Sequence, residues 1–192
     1  MISAIEKQNL RNKLEEYEGS IQHLYLDSKG YVTVGVGHLL ATLAAAQLLP
    51  FYTQAGKKAT TAEIKTDYEA VKKQPANKLA VYYKRFTKLT LKKTDIDALT
   101  NKHIDSFYKE LKRIYVDFDT FPSEVKLALF DLIFNLGMTE LNNNWPSLNK
   151  AIKAKDWAKA ATESNRKPPV SATRNKYVKD LFNKAATVKT TP

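Results

Sequence analysis

The strongest constraint on the fold is a change in the spacing of apolar residues between residues 23 and 34. Residues 23–27 and 31–34 alternate from one position to the next, which is the period of a β-strand with one buried face. The residues between them, Ser28-Lys29-Gly30, have turn chemistry, and glycine readily adopts the positive φ that such a turn requires. The pattern therefore predicts a β-hairpin with a loop of residues 28–30.

The register of this hairpin brings polar and aromatic side chains to one of its faces. With a loop of residues 28–30, Asp27 pairs with Tyr31 and Tyr25 pairs with Thr33, which makes Asp27 and Thr33 diagonal neighbours. The opposite face is apolar and is expected to be buried. One face of the hairpin is thus predicted to carry an acid, a hydroxyl and two aromatic rings.

Helical periodicity precedes the hairpin. Residues 3–17 are predicted to form a helix that begins with a capping box, because Ser3 is followed three residues later by Glu6. Gly19 is expected to end this helix, since glycine is common just after a helix C-terminus. Glu18 is therefore placed in the last turn of the helix, directly before the hairpin.

Helical periodicity also dominates the chain after the hairpin, so the predicted fold class is α+β and mostly helical. The segment Glu124–Leu136, capped by Ser123, is apolar on almost every side and is expected to be the central buried helix. Residues 76–93 have no clear pattern, and the tail Val188–Pro192 is expected to be frayed. Further helices are predicted over Leu39–Leu49, Thr61–Lys73, 94–115, Pro146–Lys153, Asp156–Glu163 and Thr173–Ala186.

Composition and charge exclude several classes of protein. The chain has 192 residues, of which 43% are hydrophobic, so we expect one domain (1–192) and no intrinsic disorder. It has no cysteine, which excludes thiol catalysis and thiolate metal sites, and its three scattered histidines do not favour any metal site. The net charge of +11 points to an anionic partner, whether nucleic acid, an acidic membrane surface or an acidic wall polymer, but a solvated, lysine-rich surface would carry the same charge. The first residues lack the apolar core of a secretory signal and no apolar run could span a bilayer, so we expect cytoplasmic synthesis without a signal peptide and no integral membrane association.

Glu18, Asp27 and Thr33 are the residues whose types and spacing point to chemistry. Two carboxyl groups on either side of a bond, with a group that holds water, are what a glycosidase requires. A glutamate at a helix end and an aspartate before a turn are also common structural features, so spacing alone leaves both interpretations open.

The whole stretch from residue 18 to residue 38 resembles the signature of the T4-type phage lysozymes, glycoside hydrolase family 24. The resemblance rests on Glu18-Gly19, Tyr25, Asp27, Gly30, Thr33, Gly35 and Gly37-His38. Residues 128–137, which end in Phe134-Asn135-Leu136-Gly137, are similar to the family's buried helix, and residues 145–174 are similar to its C-terminal helices. Residues 39–93 match nothing in the short phage enzymes and are interpreted as a helical insertion.

The resemblance implies roles for individual residues. Glu18 would be the general acid, Asp27 the base that acts on a water, and Thr33 the group that holds this water, in an inverting mechanism. Residues expected to bind substrate are Tyr25 and Tyr31 on the hairpin face, Asn135 at the end of the buried helix, and Arg174, which would face Glu18. Residues expected to be structural are Gly30, Gly35, Gly37 and His38. The family's acidic partner of His38 corresponds to His103 here, with Asp105 close by.

The implied fold is lysozyme-like, with a hairpin lobe over residues 18–93, a helical lobe over residues 94–186, and a cleft between them. The implied activity is hydrolysis of the β-1,4 bond between N-acetylmuramic acid and N-acetylglucosamine in peptidoglycan, without a cofactor or metal. The alternative is a non-catalytic cationic module that binds the cell wall. We expect a monomer that acts in the periplasm or on the wall after delivery, as an endolysin, a bacteriocin or a secreted effector. An immunity protein or a delivery machinery is a further candidate partner, whereas nucleic acid is not expected.

Overall fold

The computed structural model describes residues 2–187, and the predicted frayed tail Val188–Pro192 lies outside them. Within the described residues the fold is mostly helical α+β, as the sequence predicts. The strands are β1 (Ile21–Leu26), β2 (Val32–Gly35) and β3 (His38–Leu39), and the helices are α1 (Ala4–Glu18), α2 (Leu43–Gln47), α3 (Thr61–Lys72), α4 (Ala80–Tyr83), α5 (Lys93–Ile114), α6 (Ser123–Leu136), α7 (Met138–Asn143), α8 (Pro146–Lys153), α9 (Trp157–Glu163) and α10 (Ala172–Thr187).

The chain forms two compact units. The hairpin unit is Arg11–Lys102, and the helical unit consists of the residues up to Leu10 together with those from His103 onward. Helices α1 and α5 each contribute residues to both units. No helix within residues 2–187 combines the length and apolar character that a membrane span requires.

Helix α1 confirms the predicted start and end of the first helix. The Ser3 backbone N–H donates to Glu6 Oε2 at 2.8 Å, and the Glu6 N–H donates to Ser3 Oγ at 3.2 Å, which completes the capping box. Gly19 follows the helix with φ +77°, a backbone conformation that residues other than glycine rarely adopt. The chain therefore turns from α1 into β1 directly after Glu18.

The three strands form an antiparallel sheet in the order β1-β2-β3. Leu24 and Leu26 on β1 and Val32 and Val34 on β2 are at most 3% exposed, which confirms the apolar face predicted for the hairpin. The sheet packs against α3 and α4, two of the helices in the segment 39–93.

The segment after the sheet differs from the prediction of one helix over Leu39–Leu49. Leu39 pairs with Thr33 in β3, and the helix α2 spans only Leu43–Gln47, with Thr42 as its N-cap. Residues 39 and 40 follow β2 after a short turn, so their backbone groups form hydrogen bonds with the sheet and not within a helix; the Leu40 N–H donates to the Val32 carbonyl. The prediction over Thr61–Lys73 is confirmed by α3, whose capping box joins Thr60 and Glu63.

The helical unit is built around α6, as predicted. Seven of its residues are buried, from Val125 through Ile133, and Gly137 ends it with φ +77°. The predicted cap is wrong: Pro122 occupies the N-cap, and the Ser123 hydroxyl instead donates to Glu6 Oε1 at 3.1 Å. Helices α8, α9 and α10 match their predicted positions to within a residue or so, whereas α7 was not predicted.

Candidate active site

The hairpin has the predicted register at its tip. Tyr25 pairs with Thr33 and Leu26 with Val32, and the Asp27 N–H donates to the Tyr31 carbonyl at 3.0 Å. Gly30 closes the turn by donating its N–H to the Asp27 carbonyl at 3.1 Å, with φ +83°. Because alternate residues of a strand share a face, this register puts Asp27 on the same face as Thr33 and Tyr25.

The Asp27 carboxylate is held in place through only one of its two oxygens. Oδ1 accepts hydrogen bonds from the backbone N–H groups of Lys29 at 2.9 Å and Tyr31 at 2.8 Å. Within the described residues Oδ2 accepts no hydrogen bond. The turn therefore orients the carboxylate and leaves one oxygen available to accept a proton or a hydrogen bond from another molecule.

Thr33 is one of the few buried polar residues of the hairpin unit, with 3% of its surface exposed. Its hydroxyl donates to the Tyr31 carbonyl at 3.0 Å. A hydroxyl that has donated its proton still has lone pairs, so Thr33 Oγ1 can accept a hydrogen bond from a water. Thr33 and Asp27 Oδ2 are thus two acceptors on one face of the hairpin.

Tyr25 connects this pair with the end of α1. The pKa of its hydroxyl is raised to about 12, mainly by burial and then by the negative charges of Glu18 and Asp27. A hydrogen bond from the Gly37 backbone lowers this pKa by a smaller amount. Charges act on a hydroxyl in this way only from nearby. The Tyr25 hydroxyl therefore stays neutral at physiological pH and lies within electrostatic range of both carboxylates. Tyr31, the other tyrosine predicted to bind substrate, is 53% exposed.

Two glycines at the end of β2 have backbone conformations that other residues rarely adopt. Gly35 has φ +67°, and a Cβ on it would lie 3.3 Å from Ile96 Cγ2, a fully buried atom at the start of α5. Gly37 has φ +69°, where the chain reverses from β2 to β3 and His38 pairs with Val34. The sequence assigned these residues structural roles, which their backbone conformations support.

The helical unit contains the two other residues expected to bind substrate. Asn135 is exposed at the end of α6 and lines a pocket of about 540 Å³ together with Trp145 and Arg166. Arg174 is only 7% exposed, and its Nε donates to Asp131 at 2.9 and 3.2 Å. Its expected position opposite Glu18 stays a prediction.

Asp131 is a structural centre that the sequence analysis missed. It is 4% exposed, and besides Arg174 it is bound by Arg166 Nη1 at 2.7 Å. A lone carboxylate inside the apolar run of α6 was the signal, because a buried charge requires a paired partner. Asp105, the acidic residue near the position expected to pair with His38, is bound by Lys7 at 2.5 Å.

Comparison with known proteins agrees with this geometry. The family described as phage lysozyme matches residues 15–184 of the chain. The chain belongs to the phage lysozyme family. It is also 24% identical to a protein named "Probable T4-type lysozyme 1" from Dictyostelium discoideum. The alignment extends over 157 residues, which are 81% of each of the two chains.

The match to the phage lysozyme family includes every residue of the hairpin face. It begins three residues before Glu18, runs through the hairpin and the segment 39–93, and ends within α10. Membership therefore extends to both compact units, and the long segment 39–93 lies inside the family domain.

Proposed function

We propose that this phage lysozyme family member is a peptidoglycan hydrolase that cleaves the β-1,4 bond between N-acetylmuramic acid and N-acetylglucosamine. The observation that carries the proposal is the Asp27 carboxylate, which two backbone amides orient on the hairpin face that it shares with Thr33, shortly after the helix that ends at Glu18. Two carboxyl groups near one point, one at a helix end and one at a hairpin turn, fit the acid and the base of a glycosidase.

In the proposed mechanism Glu18 acts as the general acid. Its carboxyl proton moves to the glycosidic oxygen while the bond between this oxygen and the anomeric carbon breaks. The sugar then develops oxocarbenium character, which the ionised Asp27 stabilises through its negative charge. The neutral hydroxyl of Tyr25 is a hydrogen-bond donor beside both groups.

Asp27 and Thr33 would activate the water that attacks from the other side of the sugar. A water that donates one hydrogen to Asp27 Oδ2 and the other to Thr33 Oγ1 keeps a lone pair free for the anomeric carbon. Attack forms the new carbon–oxygen bond, and the proton that leaves the water goes to Asp27. The product is inverted, and exchange of one proton with solvent restores both carboxyl groups.

The alternative is a cationic module that binds the cell wall without cleaving it. The net charge of +11 favours attraction to an anionic wall in either case. The presence of Glu18, Asp27 and Thr33 together favours catalysis, because a module that only binds the wall requires none of these three side chains at those positions. We propose that the activity serves bacterial lysis, as an endolysin, a bacteriocin or a delivered effector.

The test is a Glu18→Gln variant compared with Glu16→Gln. Both substitutions replace a glutamate in the last turns of α1 with the amide of the same shape, but only Glu18 is assigned a proton to donate. Release of reducing ends from purified peptidoglycan should fall about 10²- to 10⁴-fold for Glu18→Gln, the range in which general acid catalysis contributes. Glu16→Gln should keep the parent rate. If both variants digest peptidoglycan at the parent rate, the role of Glu18 as the general acid is wrong. If the parent itself releases no reducing ends, the protein is not a hydrolase and the binding module is favoured.

A further inference from the structure

Most of the net charge of the protein comes from one segment. Residues 39–93 contain eleven Lys and Arg residues against three acidic residues, a net charge of +8 out of +11. The remaining residues, more than two thirds of the chain, carry only +3. The positive charge is therefore a local property of this segment and not of the whole surface.

Within this segment, residues 72–85 have no acidic residue and five cations, and we call them the basic segment. The five cations are all exposed, and none forms an ion pair with another described residue; they are Lys72, Lys73, Lys78, Lys84 and Arg85. Arg85 instead lies over the ring of Tyr82, 4.5 Å from its centroid. Cations without carboxylate partners keep their full attraction for an external anion.

The basic segment also exposes apolar side chains between its cations. Leu79 is 79% exposed and Val81 is 70% exposed, which are among the largest values for apolar residues in the described chain. Isolated exposed apolar residues are common, but here two of them lie two positions apart, between Lys78 and Lys84. The segment thus exposes both apolar and basic side chains within a few positions of one another.

This surface is anchored to the hairpin unit. Tyr83 is fully buried and its hydroxyl donates to the Pro75 carbonyl at 2.8 Å, which ties α4 to the loop before it. His23 Nε2 on β1 shares a hydrogen bond of 2.9 Å with the Ala80 carbonyl. Because one side is held by these contacts, the segment needs little ordering before its exposed side binds a partner.

We propose that the basic segment binds the surface of a bilayer that contains anionic phospholipids. A soluble polyanion would be attracted by the cations but would gain nothing from Leu79 and Val81. The membrane interface accommodates both, because cations reach the headgroups while apolar side chains enter the boundary of the acyl chains. The arrangement of Arg85 over Tyr82 suits the same boundary, where aromatic rings and basic groups lie side by side.

The experiment is sedimentation of the full chain with vesicles of phosphatidylcholine alone or mixed with phosphatidylglycerol. The parent should bind only the anionic vesicles, and added salt should weaken this binding. The variant Lys78→Gln/Lys84→Gln/Arg85→Gln should lower the partition coefficient on the order of 100-fold, since each cation near an anionic surface contributes roughly fivefold. The variant Leu79→Ser/Val81→Ser should lower it about 10-fold.

A matched control removes three cations from the helical unit instead. Lys109, Lys153 and Lys179 are exposed and form no ion pair with a described residue, so their triple change to Gln alters the net charge equally. The proposal is wrong if this control loses as much vesicle binding as the basic-segment triple variant. It is also wrong if Leu79→Ser/Val81→Ser binds like the parent, since charge alone would then explain binding and a soluble polyanion would be the better partner. Circular dichroism checks the fold, and Leu79→Ser alone replaces the double variant if that variant is unstable.

Discussion

Replacing Thr33 with valine separates the proposed water site from the stability of the hairpin. The substitution keeps the shape of the side chain and removes the hydroxyl, which is buried and donates to the Tyr31 carbonyl at 3.0 Å. Loss of one such hydrogen bond should reduce the free energy of unfolding by about 1 kcal/mol. Loss of a group that positions the attacking water should lower the rate of peptidoglycan hydrolysis about 10²-fold, which is the loss in rate that a small misplacement of a reacting group causes.

Thr100 provides a matched control in the same unit. It is 2% exposed, and its hydroxyl donates to the Ile96 carbonyl at 2.9 Å within α5. Thr100→Val should therefore cost a similar free energy of unfolding and leave the hydrolysis rate unchanged. Denaturant titration measures the first quantity, and reducing-end release from peptidoglycan at a temperature where both variants are folded measures the second. Equal rates for the Thr33 and Thr100 variants would refute a role for Thr33 in holding water.

Three further predictions concern stereochemistry, charge and pH. Nuclear magnetic resonance of freshly cleaved oligosaccharide should show the α-anomer first, and an initial β-anomer would identify a retaining mechanism. Salt should slow the digestion of whole walls much more than that of a soluble muropeptide, because electrostatic attraction is screened beyond about 8 Å at physiological ionic strength. Equal salt sensitivity of the two substrates would show that the net charge of +11 does not contribute to binding of the wall. Burial raises the pKa of Asp67, against hydrogen bonds from the Lys88 and Leu89 amides, so the folded state holds its proton more tightly than the unfolded state. The free energy of unfolding of the parent should therefore fall relative to that of Asp67→Asn as pH rises from about 4 through the raised pKa, and a difference between the two proteins that stays constant with pH would contradict the assignment.

Local sequence was sufficient for the elements whose hydrogen bonds join near neighbours. The capping box of Ser3 and Glu6 and the turn that closes on Asp27 both use bonds between residues three or four positions apart. Such bonds form in the same way whatever surrounds them, so residue type and spacing predict them. The register of the hairpin follows from the turn, and with it the shared face of Asp27 and Thr33.

Predictions were wrong or missing where the structure of a segment depends on contacts with residues far away in the sequence. Leu39 is apolar and precedes an alanine-rich stretch, yet it pairs with Thr33 across the sheet instead of starting a helix. The role of Asp131 does not follow from local sequence, because its partners, Arg166 and Arg174, lie 35 and 43 positions further along the chain. No local pattern identifies which cations will be buried against a given carboxylate.

The sequence by itself determined the hairpin and the helix that ends at Glu18, because short-range hydrogen bonds and alternation specify them. It also placed Glu18, Asp27 and Thr33, whose catalytic roles the family resemblance implies. Only the tertiary structure decided that Tyr25 is partly buried where the charges of Glu18 and Asp27 act on its hydroxyl, and that residues 72–85 are held by Tyr83 while Leu79 and Val81 stay exposed. Burial and proximity depend on how the whole chain excludes water, and the free energy of that exclusion is a property of the packed fold rather than of any one segment.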